Sequence, residues 1–249
     1  MPMHPEYEQQ WLEAGYNNTM GSVRVCPPPP GGFTRVYYLT SAEYALAAIS
    51  LRRLKVSRLS QLNDPFEGLA LRLKGKDRRQ TMSDFKDALD KTHGMLCFSS
   101  NWTNPVLWAH YGARNRGICL GFDLRDSMAE KVVYTQERPQ QELEGRKRAW
   151  RLTPGQEQHL RLTKFRHWEY EQEKRLFVDL SRAVKEGPMH FRKFDDDLKL
   201  AEVILGFACD LPLEDLRASV SAHYIGVVTF KARLGVHNFE IVRDEATVP

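Results

Sequence analysis

The sequence predicts an α+β fold, with a mixed, mostly antiparallel central sheet and helices packed around it. Three observations lead there. Short stretches rich in Val, Tyr, Ile and Phe recur along the chain, several with the period-two alternation of half-buried strands. Helical stretches fall between them irregularly, so the repeating unit of a doubly wound parallel sheet is missing. Neither Gly-x-Gly-x-x-Gly nor Gly-x-x-x-x-Gly-Lys-Ser/Thr occurs, which argues against the common nucleotide-binding folds.

Each element has its own signal. Residues 1–32 read as an appendage, closed by the stiff run Pro27–Pro30 and a Gly31-Gly32 hinge. A single domain is expected over 33–249. Arg35 to Leu39 alternates as a strand, and Thr40 and Ser41 then offer an N-cap for a helix over 42–50, with Tyr44, Ala47, Ala48 and Leu51 on one face. Leu54 to Ser57 is a second strand, Asn63 to Glu67 a turn, and 78–92 a helix. Gly94 to Phe98 reads as a buried strand, 104–111 as a short helix ended by Gly112, and 117–123 and 132–135 as strands. A polar, basic helix is expected over 140–163, broken at Pro154-Gly155. Beyond it, 169–180 is the clearest late strand, 195–200 a helix, 203–207 a strand, 212–224 a helix, and 227–231 and 239–243 the closing strands.

Composition sets the bounds. Of 249 residues, 42% are hydrophobic and 27% charged, which is ordinary for a globular chain long enough to bury a core without staples. No run approaches the roughly 20 apolar residues that span a bilayer, so no membrane is expected. Met1 to Thr19 lacks the pattern of a secretion signal. The four cysteines form no Cys-x-x-Cys pair, which fits a reducing cytoplasm and neither a disulfide framework nor a zinc site. The net charge of +4 is too small to argue nucleic-acid binding alone. Arg72, Lys74, Lys76, Arg78 and Arg79, and again Arg146, Lys147, Arg148, Arg151, Arg161, Lys164 and Arg166, form basic clusters that suit phosphates or simply a solvated helix face.

Four stretches carry more polar chemistry than their folding requires. Tyr37-Tyr38-Leu39-Thr40-Ser41 ends a strand in aromatic and hydroxyl groups, although a core strand with an N-cap looks the same. Asn63-Asp64-Pro65-Phe66-Glu67 shapes a turn, and its Asp64 and Glu67 are placed to converge on a ligand or a metal. Ser99 leaves a buried strand just before Trp108-Ala109-His110-Tyr111, a set that serves equally as core anchors or as a stacking pocket for a planar ring. In Trp168-Glu169-Tyr170-Glu171-Gln172-Glu173-Lys174-Arg175, a strand puts Glu169, Glu171, Glu173 and Arg175 on one face. Three adjacent carboxylates repel each other, a cost that a plain surface strand has no reason to bear and a site with a tuned carboxylate does. Glu173, oriented by Arg175, is the leading catalytic candidate.

In this order the motifs resemble a widespread bacterial family of domains of unknown function, found in phage-defence and abortive-infection contexts. The resemblance covers about residues 33–245. It adds Cys97-Phe98-Ser99, Gly117-Ile118-Cys119-Leu120-Gly121-Phe122 and Ile204-Leu205-Gly206 to the motifs above. The layout also resembles the ADP-ribosyltransferase superfamily. That resemblance implies an enzyme consuming NAD as substrate, with no metal, and an acceptor that is nucleic acid, protein or water. A toxin or phage-defence effector with a cognate antitoxin would fit. It assigns catalysis to Glu173, Tyr38 and Glu171, with Tyr38 standing where many relatives have His. It assigns ligand binding to Thr40, Ser41, Asn63, Asp64, Phe66, Glu67, Ser99, Trp108, His110, Tyr111 and Arg175. Two alternatives stay open. One is a magnesium-dependent nuclease using Asp64, Glu67, Glu171 and Glu173; the other is a non-catalytic nucleic-acid-binding module.

Overall fold

The computed structural model describes residues 26–71, 76–138 and 152–247. Its elements run β1 (Phe33–Thr40), α1 (Ala42–Leu51), β2 (Arg53–Val56), α2 (Lys76–Thr92), β3 (His93–Ser99), α3 (Pro105–His110), β4 (Ile118–Arg125), β5 (Glu130–Lys131) and β6 (Val133–Thr135). They continue with α4 (Pro154–Leu162), β7 (Thr163–Phe165), β8 (Glu173–Asp179), β9 (Val184–Glu186), β10 (Met189–Lys193), β11 (Leu198–Leu205), α5 (Leu213–Ser221), β12 (Val228–Leu234) and β13 (Ile241–Arg243). Eight strands form one sheet in the order β13-β12-β11-β4-β1-β3-β8-β5. Every neighbouring pair in it is antiparallel except β11 with β12. A three-stranded sheet, β2-β10-β9, and a parallel pair, β6-β7, complete the architecture.

Alternation sorts the main sheet into two faces. Val36, Leu96, Phe98, Leu120, Phe122, Leu176 and Val178 turn to one face and form the main core with Ala45, Ala48 and Ile49 of α1 and Leu216 and Val220 of α5. The opposite face is divided. Around β4, β11 and β12 it is apolar, with Cys119, Ile204 and Phe230 beneath Trp108 of α3. Around β3 and β8 it is polar. Between these halves the sheet is weakly joined, because β1 and β3 meet through a single pair, Tyr37 with Ser99.

Several expectations are corrected. In α1 the buried residues are Ala45, Ala48 and Ile49, while Tyr44 and Leu51 are exposed; the helix is nevertheless capped by Ser41, whose hydroxyl accepts from the Tyr44 amide at 3.3 Å. The helix expected over 195–200 is instead the start of strand β11. A bulge between Leu200 and Glu202 breaks the alternation of β11, and beyond it Val203, Ile204 and Leu205 are all buried because both faces of this strand are covered. The strand expected from 169 begins only at Glu173, after a 3-10 turn over Arg166–Glu171. Of the basic helix expected over 140–163, the described part is α4, and residues 140–151 lie outside the described residues, as do Arg72, Lys74 and the side chains of Lys76, Arg78 and Arg79.

Packing begins ahead of Phe33. Cys26 is buried, Arg35 donates to its sulfur at 2.9 Å and to the Pro27 carbonyl at 3.1 Å, and the Arg35 Nε lies 2.6 Å from Asp123. Residues 1–25 lie outside the described residues. No helix among the described residues is long and apolar enough to cross a membrane.

Candidate active site

The polar half of the sheet carries a buried ion cluster, and local structure explains how each member arrives. Antiparallel pairing of β3 with β8 sets Cys97 opposite Arg175 and Ser99 opposite Glu173, so these four side chains share a face. Gln172 adopts a left-handed conformation (φ 45°) that ends the 3-10 turn and starts β8, placing Glu171 and Glu173 on either side of the kink. The turn before Glu67 is built by Asp64, whose Oδ1 accepts from the Phe66 amide at 2.9 Å, and by the Glu67 amide donating to the Asp64 carbonyl at 3.1 Å. Glu67 is thereby turned inward while Phe66 stays 53% exposed.

Arg175 is fully buried, and its guanidinium spans two carboxylates. It reaches Glu67 through Nη1 to Oε1 at 2.6 Å and Nη2 to Oε2 at 2.9 Å, and Glu173 through Nε to Oε1 at 2.8 Å and Nη2 to Oε2 at 3.0 Å. Lys164 of β7, also buried, bonds Glu171 and stands 3.3 Å from Glu173 Oε2. The Tyr111 hydroxyl donates to Glu171 Oε1 at 2.5 Å and accepts from Asn63 Nδ2 at 2.8 Å. The Glu173 backbone is fixed as well, its amide donating to the Tyr134 hydroxyl at 2.8 Å.

Both oxygens of each Arg175-bound carboxylate accept hydrogen bonds from the guanidinium, a pattern that favours the ionised form. By formal count the cluster sets three carboxyl groups against two cations. Burial alone would raise the pKa of Glu173, but Arg175 and then Lys164 outweigh it and bring the group down to about 2. Glu67, with burial and the neighbouring Glu173 against it, is raised instead, although Arg175 partly compensates. Burial would lower Lys164, but Glu173 and Glu171 raise it, so it remains a cation. Burial, and next the Glu173 carboxylate, push the Cys97 thiol well above its ordinary value, which leaves it a poor nucleophile at neutral pH.

This cluster forms one wall of a cavity of about 250 Å³ that opens where β1 and β3 diverge. Tyr37, Ser99, Asn63 and Tyr111 border it together with Glu67, Glu171, Glu173, Arg175 and Lys164. The structure thus brings seven of the residues singled out in the sequence to one place: Asn63, Glu67, Ser99, Tyr111, Glu171, Glu173 and Arg175. Others sit elsewhere. Tyr38 also borders the cavity, but its ring packs edge-on against Phe98 in the main core, with centroids 6.0 Å apart. It is Tyr37 that pairs with Ser99. Thr40 and Ser41 lie beyond the lining, and Asp64 serves the turn. Trp108 is buried, its Nε1 donating to the Trp102 carbonyl at 2.6 Å, and it anchors the core. His110 is exposed and bonds the Tyr170 hydroxyl at 2.9 Å. Phe66 borders a second cavity of about 330 Å³, together with Phe165 and Arg138.

Lys164 and Tyr37 also border the cavity, although the sequence places Tyr37 in a motif without assigning it a role and Lys164 only in a basic cluster. Lys164 stood in a run of basic residues that reads as a solvated face, and only its place between Thr163 and Phe165, in a short strand, hints otherwise. Among the described residues no group of three or more His, Cys, Asp and Glu side chains is arranged to hold a metal ion. Comparison with known proteins adds no relative: no family model, no curated protein and no solved structure matches the chain.

Proposed function

We propose that the cavity receives the nicotinamide end of NAD and breaks its bond to ribose, making the protein an ADP-ribosyltransferase-like enzyme. The observation that carries this reading is the excess of carboxyl groups over cations in a buried, hydrogen-bonded cluster on the wall of a cavity. Nicotinamide in NAD is a pyridinium cation. When its bond to ribose breaks, the electron pair goes to the ring nitrogen, nicotinamide leaves neutral, and positive charge passes to the ribose as an oxocarbenium ion. A carboxylate fixed beforehand in a poorly solvated site stabilises that charge without reorganising. Glu173 suits the task because it stays ionised and is held by Arg175 and Lys164. A nucleophilic atom of the acceptor then bonds the ribose carbon and gives up its proton. Tyr37 and Tyr111 offer rings for the planar leaving group, and Ser99 and Asn63 offer polar contacts for the sugar.

The magnesium nuclease has weaker support. Lys164 and Arg175 stand between the carboxylates where a divalent ion would sit, and Asp64 is engaged with the Phe66 amide. A toxin or phage-defence setting, with nucleic acid or protein as acceptor, follows from the family resemblance alone. The test is incubation of the purified protein with nicotinamide-labelled NAD in EDTA, with and without cell extract. Release of labelled nicotinamide is expected. No release under either condition, combined with magnesium-dependent cleavage of RNA or DNA, would overturn the reading.

A further inference from the structure

The cavity is also bordered by a cation that lies outside the ion cluster. In β2 the side chains alternate: Leu54 and Val56 enter the main core, which turns Lys55 and Ser57 to the other side. Ser57 is fixed to β3 by two backbone hydrogen bonds with Met95, at 3.0 and 2.8 Å. That bridge brings the end of β2 against the cavity, and Lys55, Ser57 and Gln61 border it. Lys164 and Arg175, which also border it, are buried and saturated with carboxylates. Lys55 is exposed and makes no hydrogen bond or ion pair among the described residues. The cavity therefore has a carboxylate-rich wall whose cations are paired, and at Lys55 a cation that is not.

We propose that Lys55 binds the phosphate of a pyridinium nucleotide whose cationic ring lies at the carboxylate wall of the same cavity. The inference rests on the reading of the cavity as a pyridinium site, and it narrows the ligand class to zwitterions with a cationic ring at one end and a phosphate near the other. A cavity of about 250 Å³ suits a ring and a sugar rather than a whole dinucleotide, which leaves the phosphate at the rim, where an exposed lysine is useful. Nicotinamide mononucleotide is the smallest probe that meets both the carboxylate wall and Lys55. Nicotinamide riboside meets only the carboxylate wall.

Calorimetric titration of the full chain with both probes tests this, alongside Lys55→Met and Lys55→Glu. A phosphate held by a lysine is expected to make the mononucleotide about tenfold tighter than the riboside, at the scale of one charge-assisted hydrogen bond. Lys55→Met should erase that difference by weakening the mononucleotide alone, and Lys55→Glu should make the riboside the tighter ligand. Equal affinities in the wild-type protein, or a preference for the mononucleotide that survives both substitutions, would overturn the role of Lys55 and leave the pyridinium site standing. If neither probe nor NAD binds the wild-type protein, the pyridinium reading itself fails, and this inference with it.

Discussion

Arg175 and Glu67, 108 residues apart in sequence, are joined by a two-point ion pair in which both terminal guanidinium nitrogens meet both carboxylate oxygens. The pair ties the Asn63–Gly68 turn to the start of β8. Removing the cation strands the buried Glu67 and leaves Glu173 with Lys164 alone, a loss on the order of 3–5 kcal/mol. Arg175→Met is therefore expected to lower the urea midpoint sharply. Replacing Glu67 by Gln as well should recover part of the loss, because the stranded charge is gone.

Acid sensitivity follows from Glu173. Its pKa falls from the ordinary 4.5 to about 2 in the folded chain. The stabilisation this brings is fully present above the unfolded value and is lost as pH falls through the folded one, so it disappears between about 4.5 and 2. Lys164→Met removes one of the two cations that hold Glu173 ionised. Its pKa should rise, and acid unfolding followed by circular dichroism should begin at higher pH than in the wild-type protein. An unchanged acid midpoint would mean that Arg175 alone keeps Glu173 charged.

Two glycines should respond oppositely to a methyl group. A Cβ on Gly121 would lie 2.9 Å from both Cβ and Oε2 of Glu202 and 3.2 Å from Cε1 of Tyr37, so Gly121→Ala should cost about 1–3 kcal/mol and disturb the ring beside the cavity. Gly155, in the first turn of α4, has nothing within 4 Å of such an atom. Gly155→Ala should stabilise by up to about 1 kcal/mol, since alanine loses less backbone freedom in a helix. Thermal melts of both variants check the pair.

The N-terminal boundary is testable in the same way. Deleting residues 1–32 removes Cys26 and the Pro27 carbonyl from Arg35, whereas a deletion that stops at residue 25 keeps both. The longer deletion should be less stable than the shorter by about 1–3 kcal/mol, the scale of hydrogen bonds to a charged donor. Equal melting temperatures would show that Asp123 and Glu202 satisfy Arg35 alone.

What the sequence made legible was mostly local. The Ser41 cap, the Asn63–Glu67 turn and the crowding of Glu171, Glu173 and Arg175 each follow from neighbours in the chain. What escaped depended on distant partners. Val36 faces the main core and Leu39 the opposite face, so the apolar residues of β1 do not say which of Tyr37 and Tyr38 shares a face with Ser99; only the long-range pairing of Tyr37 with Ser99 does. In β11, Leu198, Lys199 and Leu200 alternate as a strand does, but three residues between the Asp195–Asp197 turn and the bulge at Leu200/Glu202 are too few to show a period, so the stretch over 195–200 reads as a helix. Trp108 and Tyr111 are near neighbours in sequence, yet one anchors the core and the other touches Glu171. The short helix α3 ends between them, at His110.

The central claim is that Glu173 stabilises positive charge developing on the ribose of NAD. The most direct measurement is the rate of labelled nicotinamide release by the wild-type protein and by Glu173→Gln, in EDTA, with circular dichroism and melting temperature recorded for both. The account predicts release by the wild-type protein and a loss of at least about a hundredfold in a variant that remains folded, the scale of removing one preorganised electrostatic partner. A folded Glu173→Gln protein that releases nicotinamide at the wild-type rate would contradict it.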